Sequence, residues 1–215
     1  MMQLLLIILL SIGLGYICTY HFMPLGIKFI IAPMIGHHAI KLPSITNDLL
    51  RWFLASIILT ITFIQFGINW YSGLVVMFCI GLFILAMLDW DYWLLPDQLT
   101  LSLLWLGLLS NCQQTITDLE AAVLGAGTGY VSLWLIGGLF YQLTGRWGMG
   151  YGDYKFLAAI GAWMGWHALP TIVFIASTLA VTFGICHSIW RKNTVALDQP
   201  FGYYLALSTW LMLIN

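Results

Sequence analysis

Charged residues are scarce in this chain of 215 residues, where they make up 7% of the sequence against 61% for hydrophobic residues. An average soluble domain is about a quarter charged, so the composition excludes an ordinary water-exposed globular surface. The net charge of -1 also leaves no basic face for binding nucleic acid. Together with a mean hydropathy of +0.95, this predicts a protein whose solvent is the lipid bilayer.

Closely spaced metal-ligand pairs are scarce as well. The four cysteines lie far apart and form no C-x-x-C pair: Cys18, Cys79, Cys112 and Cys186. A structural zinc site or a disulfide framework is therefore not expected. His37 and His38 are adjacent, but they have no carboxylate or third histidine nearby, which favours a loop role over metal binding.

Long apolar runs are abundant, and a helix of about 20 residues is needed to cross the hydrocarbon core of a bilayer. Runs bounded by polar residues, Gly or Pro lie near 3–20, 50–67, 72–89, 98–111, 118–142, 154–168, 169–190 and 200–214. They predict an all-α, polytopic membrane protein of about eight transmembrane helices with short loops, forming one membrane domain over residues 1–215. No Lys or Arg precedes the first run and no A-x-A cleavage site follows it, so we expect this span to be retained.

The positive charges predict the orientation of these spans, because Lys and Arg concentrate in cytoplasmic loops. With eight spans, all seven fall on one side of the membrane: Lys28, Lys41, Arg51, Arg146, Lys155, Arg191 and Lys192. The opposite loops, around 68–71, 112–118 and 166–169, contain none. The odd-numbered loops, including the first at 21–49, are therefore predicted to be cytoplasmic.

Several aspartates lie at the ends of apolar runs, where an ionised carboxylate is costly and is therefore a candidate for function. Asp89, Asp91 and Asp97 lie between spans three and four, whereas Asp153 follows the glycine-rich segment 148–152 and begins span six. By the charge argument both stretches are cytoplasmic. Two carboxylates from different helices can therefore meet at one face of the membrane.

Such a pair can hydrolyse an amide, with one carboxylate activating water and the other donating a proton to the carbonyl oxygen. Asp153 lies at a helix N-terminus, which favours the anion, so we expect it to be the first base. The simplest role for Asp97 is as the N-cap of span four. Asp91 is either a hydrated loop charge or an alternative partner for Asp153. The glycines of 148–152 would permit close approach of helices.

A resemblance to a known family rests on several segments. In order, they are Leu88-Asp89, Leu95-Pro96-Asp97-Gln98-Leu99-Thr100, Gly150-Tyr151-Gly152-Asp153-Tyr154-Lys155, Ala159-Ile160-Gly161-Ala162-Trp163-Met164-Gly165 and Gln199-Pro200-Phe201-Gly202. Over roughly residues 70–215 the chain resembles the type IV prepilin peptidases, which are G-x-G-D aspartyl membrane proteases. The resemblance implies that Asp89 and Asp153 are the catalytic pair. The resemblance also implies that five further residues belong to the supporting motifs: Gly150, Gly152, Lys155, Pro96 and Asp97.

The resemblance also implies a substrate and a location. Members of this family cleave the basic leader from type IV prepilins or type II secretion pseudopilins at the cytoplasmic face of the bacterial inner membrane, so the implied partners are these substrates and membrane lipids. Many members then methylate the new N-terminus with S-adenosylmethionine and carry two zinc-binding C-x-x-C pairs in the first loop. Residues 21–49 contain no cysteine. We therefore expect a peptidase without a cofactor, with S-adenosylmethionine needed only if methyl transfer is retained.

Two alternatives remain open at this point. One is a more distant G-x-G-D relative, such as a preflagellin peptidase or a signal-peptide-peptidase-like enzyme. The other is a small transporter in which Asp89 and Asp153 form a proton relay, an interpretation that inverted repeats would favour. Replacing each aspartate and assaying prepilin cleavage distinguishes a peptidase from a transporter.

Overall fold

The computed structural model describes residues 2–17, 19–20, 45–114, 116–146, 148–191 and 199–215. These ranges contain eight helices: α1 (Met2–Ile17), α2 (Ile45–Phe66), α3 (Trp70–Tyr92), α4 (Asp97–Asn111), α5 (Leu119–Thr144), α6 (Tyr151–Met164), α7 (Leu169–Arg191) and α8 (Phe201–Leu213). No strand occurs within them, so the all-α prediction is confirmed. Most of the predicted first loop, with His37 and His38, lies outside the described residues, and α2 begins at Ile45 rather than near residue 50.

Four of the described helices are long and apolar enough to cross a membrane, namely those covering 49–66, 70–92, 119–144 and 169–190. Residues 6–17 of α1 and the whole of α8 form shorter apolar helices. The order of helices follows the predicted runs. The protein is therefore a multi-pass membrane protein, and the predicted eight-helix pattern is confirmed for the described part of the chain.

The chain divides into two compact units, Met1–Ile84 with Ile214 and Leu85–Leu213 with Asn215. In the first unit α1 packs on α2, and the indole Nε1 of Trp52 donates a hydrogen bond to the Ile12 carbonyl at 3.2 Å. A single membrane domain over residues 1–215 stays a prediction. All of the predicted site residues belong to the second unit.

Helix α6 forms the buried centre of the second unit, and α5 packs against it through glycines. Gly125, Gly129 and Gly137 all lie on the buried stripe of α5. A Cβ atom at Gly125 would overlap the carbonyl oxygen of Gly161, and a Cβ at Gly161 would overlap that of Gly125. Helices in lipid associate through this kind of close backbone packing, which small residues permit.

Asn111 joins the far ends of α4 and α6. Its buried side-chain amide donates to the carbonyls of Ala162 at 2.8 Å and Trp163 at 3.1 Å, which lie in the last turn of α6 and have no intrahelical partner. Its oxygen accepts from the backbone N–H groups of Ile116 and Thr117 at 3.0 and 3.2 Å. Because the C-terminal ends of α4 and α6 meet, these two helices run in the same direction and their N-termini share the other end of the unit.

We expect Gly125→Ala and Gly161→Ala each to lower the free energy of unfolding in detergent by roughly 1–3 kcal/mol, because the added Cβ forces two backbones apart. The matched controls are Gly127→Ala and Gly138→Ala on α5, where a Cβ would meet no atom within 4 Å. Alanine favours a helix over glycine by about 1 kcal/mol, so the controls should be neutral or stabilising. Equal destabilisation in all four variants, measured by thermal unfolding, would contradict this account of the packing.

Candidate active site

Asp89 lies in the last turn of α3, and its carboxylate binds the first turn of α8. The side chain is 6% exposed. Its Oδ2 atom accepts a hydrogen bond from the backbone N–H of Tyr203 at 3.1 Å, and the backbone N–H of Gly202 also donates to the carboxylate. The N–H groups of a first turn have no partner within their own helix. Asp89 thus caps α8 from 114 residues away, at the helix end where the dipole favours a negative charge.

Two glycines allow the chain to close around this contact. A Cβ atom at Gly202 would lie 2.8 Å from Oδ2 of Asp89 and 3.1 Å from Cδ1 of Leu95. A Cβ at Gly152 would lie 2.9 Å from Cβ of the same Leu95. The buried Leu95 side chain therefore fits between the starts of α6 and α8, which gives a packing reason for a glycine in both the G-x-G-D and the P-F-G segments.

Asp153 is the third residue of α6, and its side chain is 8% exposed. Gly150 is the N-cap of this helix, and its backbone N–H donates to the Asp153 carboxylate. A side chain at the third helical position that binds the N-cap N–H forms one half of a capping box. The local backbone therefore fixes the direction of the Asp153 carboxylate.

The two predicted catalytic residues come together at one end of the second unit. Both carboxylates are buried, and they are close enough for the charge of Asp89 to act on Asp153. Two like charges in a buried site ionise together only at high energy, so we expect the pair to share one proton near neutral pH. A carboxylic acid close to a carboxylate is the arrangement that hydrolysis of an amide requires.

Asp97 and Lys155 form an ion pair beside this site, with the ammonium nitrogen 2.7 Å from Oδ1 and 2.6 Å from Oδ2 of the carboxylate. The interpretation of Asp97 as the N-cap of α4 is wrong. The N-cap is Pro96, and Asp97 is the first helical residue, whose carboxylate faces the nearby ammonium group of α6. The pair joins the start of α4 to the start of α6.

The remaining acidic candidate is Asp91. It lies two residues beyond Asp89 in α3 and is half-buried. Side chains two positions apart in a helix point to different sides, so Asp91 faces away from the Asp89 carboxylate. Of the two, Asp89 is the carboxylate whose charge acts on Asp153.

The expectation that the protein has no metal site stays a prediction. Within the described ranges no group of three or more His, Cys, Asp or Glu side chains could hold a metal ion. His37 and His38, the candidates considered from the sequence, lie outside those ranges.

Fold and site together define a multi-pass membrane protein with a buried pair of aspartates. Residues 76–185, just over half of the chain, match the type IV leader peptidase family, and the chain belongs to that family. The resemblance seen in the sequence is therefore confirmed.

Several relatives are described as prepilin leader peptidase/N-methyltransferase. The chain is 42% identical to that of Stutzerimonas stutzeri over 150 residues, which cover 70% of this chain and 52% of the relative. It is 44% identical to that of Dickeya chrysanthemi over 165 residues, covering 74% and 57%. The chain thus spans about half the length of these relatives. No solved structure matches it.

A double-mutant cycle tests the role of Asp97. We expect Asp97→Ala to lower the free energy of unfolding by less than about 1 kcal/mol, because the carboxylate is 57% exposed and solvent weakens the ion pair. In a Lys155→Met background the same change should cost nothing further, since its partner is gone. A cost that persists without Lys155, measured by thermal unfolding in detergent, would restore the capping role.

Proposed function

We propose that this chain is an aspartyl endopeptidase that removes the N-terminal leader from prepilins or pseudopilins. The observation that carries the proposal is that the carboxylates of Asp89 and Asp153 are both buried and lie close enough for the charge of one to act on the other. Asp153 lies at the end of the G-x-G-D segment, and both aspartates lie within the part of the chain that matches the leader peptidase family. The names of the relatives, which are 40–48% identical, support the same activity.

In the proposed reaction, one carboxylate removes a proton from water as the water oxygen attacks the carbonyl carbon of the scissile peptide bond. The other, protonated carboxyl group donates its proton to the carbonyl oxygen. The tetrahedral intermediate then collapses. The C–N bond breaks, the first residue returns its proton to the leaving amine, and the second takes back the proton of the hydroxyl group, so the pair ends as it began.

We assign the base to Asp89 and the acid to Asp153. Asp89 accepts hydrogen bonds from two backbone N–H groups of α8, whereas Asp153 accepts from that of Gly150. Hydrogen bonds to an ionised carboxylate favour the charged form, so the negative charge belongs at Asp89 and the shared proton at Asp153. From the sequence, Asp153 was expected to be the first base. The roles are reversed because the contact of Asp89 with the N-terminus of α8 could not be seen in the sequence.

The substrate is proposed to be an extended segment that enters from the cytoplasmic side. A helical substrate keeps its scissile amide in its own hydrogen bonds, so the leader must unwind near the site. Arg146 and Lys155 flank the loop between α5 and α6 on the side of the membrane where the site lies. The positive-inside rule supports the proposal that this side is cytoplasmic and that the active site lies at the cytoplasmic face of the inner membrane.

Single replacements test the carboxylate pair. We expect Asp89→Asn and Asp153→Asn each to lower the rate of leader cleavage at least about 100-fold, because each removes one half of the acid–base pair. The measurement is the conversion of purified prepilin to mature pilin by the detergent-solubilised protein. The matched control is Asp118→Asn, an exposed aspartate at the opposite end of the second unit, which should cleave at the parent rate.

Asp97→Asn should reduce cleavage without abolishing it, since the carboxylate of Asp97 pairs with Lys155 rather than with the reacting groups. Loss of cleavage to the same extent in the Asp89, Asp97 and Asp153 variants would remove the distinction between reacting and supporting carboxylates. A proton-relay transporter would make a different prediction, namely that the parent protein and every variant leave prepilin uncut.

Cleavage should also proceed in the presence of strong chelators and without added S-adenosylmethionine. The proposed chemistry needs only water and two carboxyl groups. The assay compares the initial cleavage rate of the parent protein before and after dialysis against a chelator. A loss of rate that zinc restores would contradict a metal-free site, and a requirement for S-adenosylmethionine would contradict the expectation that no cofactor takes part.

A further inference from the structure

Gln199, which precedes α8, places its side-chain amide against the backbone of α7. In the orientation of the amide that satisfies its neighbours, the nitrogen donates to the Ala180 carbonyl at 3.2 Å and the oxygen accepts from the Gly184 N–H at 3.1 Å. The hydroxyl oxygen of Tyr204 lies 2.8 Å from the same amide nitrogen. Each polar atom of the side chain thus has a partner in α7 or α8.

The two backbone groups that Gln199 binds are four residues apart, and an uninterrupted α-helix would join them to each other. The primary amide has the same donor and acceptor as a peptide group, so it can bind at this point of the helix. Gly184 makes the approach possible, because a Cβ atom there would lie 2.9 Å from the amide of Gln199. A specific site on α7 therefore holds the residue that begins the turn into α8.

The segment from Gln199 to Tyr203 is held at both ends. At one end the Gln199 side chain binds α7, and at the other the backbone N–H groups of Gly202 and Tyr203 bind the Asp89 carboxylate. Pro200 lies between them, and its ring fixes one of the backbone torsions. With so few residues in between, the place where Gln199 binds determines where the first turn of α8 lies.

We infer that Gln199 is a positioning residue for Asp89: its contact with α7 sets the place of the α8 N-terminus, whose N–H groups hold that carboxylate for reaction. The inference rests on the proposed peptidase function for its kinetic consequence only. Gln199 does not touch the reacting groups, so its removal should affect the chemical step more than the binding of the leader.

The kinetic test compares Gln199→Ala with Gln113→Ala, an exposed glutamine in the loop that follows α4. We expect Gln199→Ala to lower kcat for leader cleavage about 10- to 100-fold, as for a displacement of a catalytic group by about 1 Å. KM should change by less than about threefold, since binding of the leader is retained. The Gln113→Ala protein should keep the parent values of both. Parent kcat in Gln199→Ala, or equal losses in both variants, would overturn the inference.

A second pair of variants tests the contact rather than the residue. Gly184→Ala should reproduce the effect of Gln199→Ala, because its methyl group displaces the same amide. The double variant should be no worse than the more affected single variant, since both changes remove one interaction. Additive losses in kcat would overturn the inference.

The position of α8 can be measured without any cleavage. The rings of Trp90 and Tyr203 lie with their centroids 5.0 Å apart, so a Trp90→Cys/Tyr203→Cys pair in a background without the native cysteines should be joined by a bifunctional thiol reagent whose linker replaces the span of the two rings. Adding Gln199→Ala should lower the yield of this cross-link, whereas adding Gln113→Ala should not. An unchanged yield would overturn the inference even if the protein proves not to cleave prepilins, and absence of cleavage by the parent protein would contradict only the proposed function.

Discussion

The hydrogen bonds between Asp89 and the first turn of α8 are the contact on which the rest of the site depends. A buried carboxylate near the end of a membrane helix is costly by itself, and so are unpaired N–H groups at a buried helix start. Here each satisfies the other. Since Leu95 packs against both Gly202 and Gly152, this contact also fixes where α6 begins, and with it the position of Asp153.

Contacts between glycines, buried hydrogen bonds and one ion pair set much of the remaining geometry. Lipid offers helices little hydrophobic reason to associate, so close packing and buried hydrogen bonds have to hold them. The contact of Gly125 with Gly161 brings α5 onto α6, and Asn111 holds the far ends of α4 and α6 through its amide. Asp97 and Lys155 join the near ends of the same two helices. Helix α6 is thus held at both ends by contacts that do not involve the two site aspartates.

The sequence predicted the helices and the two aspartates, because apolar runs, the side on which positive charges fall and the rarity of intramembrane carboxylates are all local properties. It did not predict the partners of those aspartates. The start of α4 was placed correctly, yet Asp97 was assigned to capping because the ammonium group it faces is 58 residues away in the chain. The same limit applied to Asn111, whose carbonyl partners lie 51 and 52 residues further on. For Gln199 the sequence offered one signal, the Q-P-F-G segment, but no neighbour that would give it a role.

The order in which the helices emerge during synthesis gives the Asp89–α8 contact a further consequence. Asp89 reaches the membrane with α3, whereas its backbone donors arrive only with α8, after α4 to α7. Until α8 is inserted, a nascent chain can hold both aspartates in the bilayer while the carboxylate oxygens of Asp89 still lack these backbone donors. Maturation of the site is therefore tied to insertion of α8, so a half-made chain carries the two acidic residues without the environment that would make them a working pair.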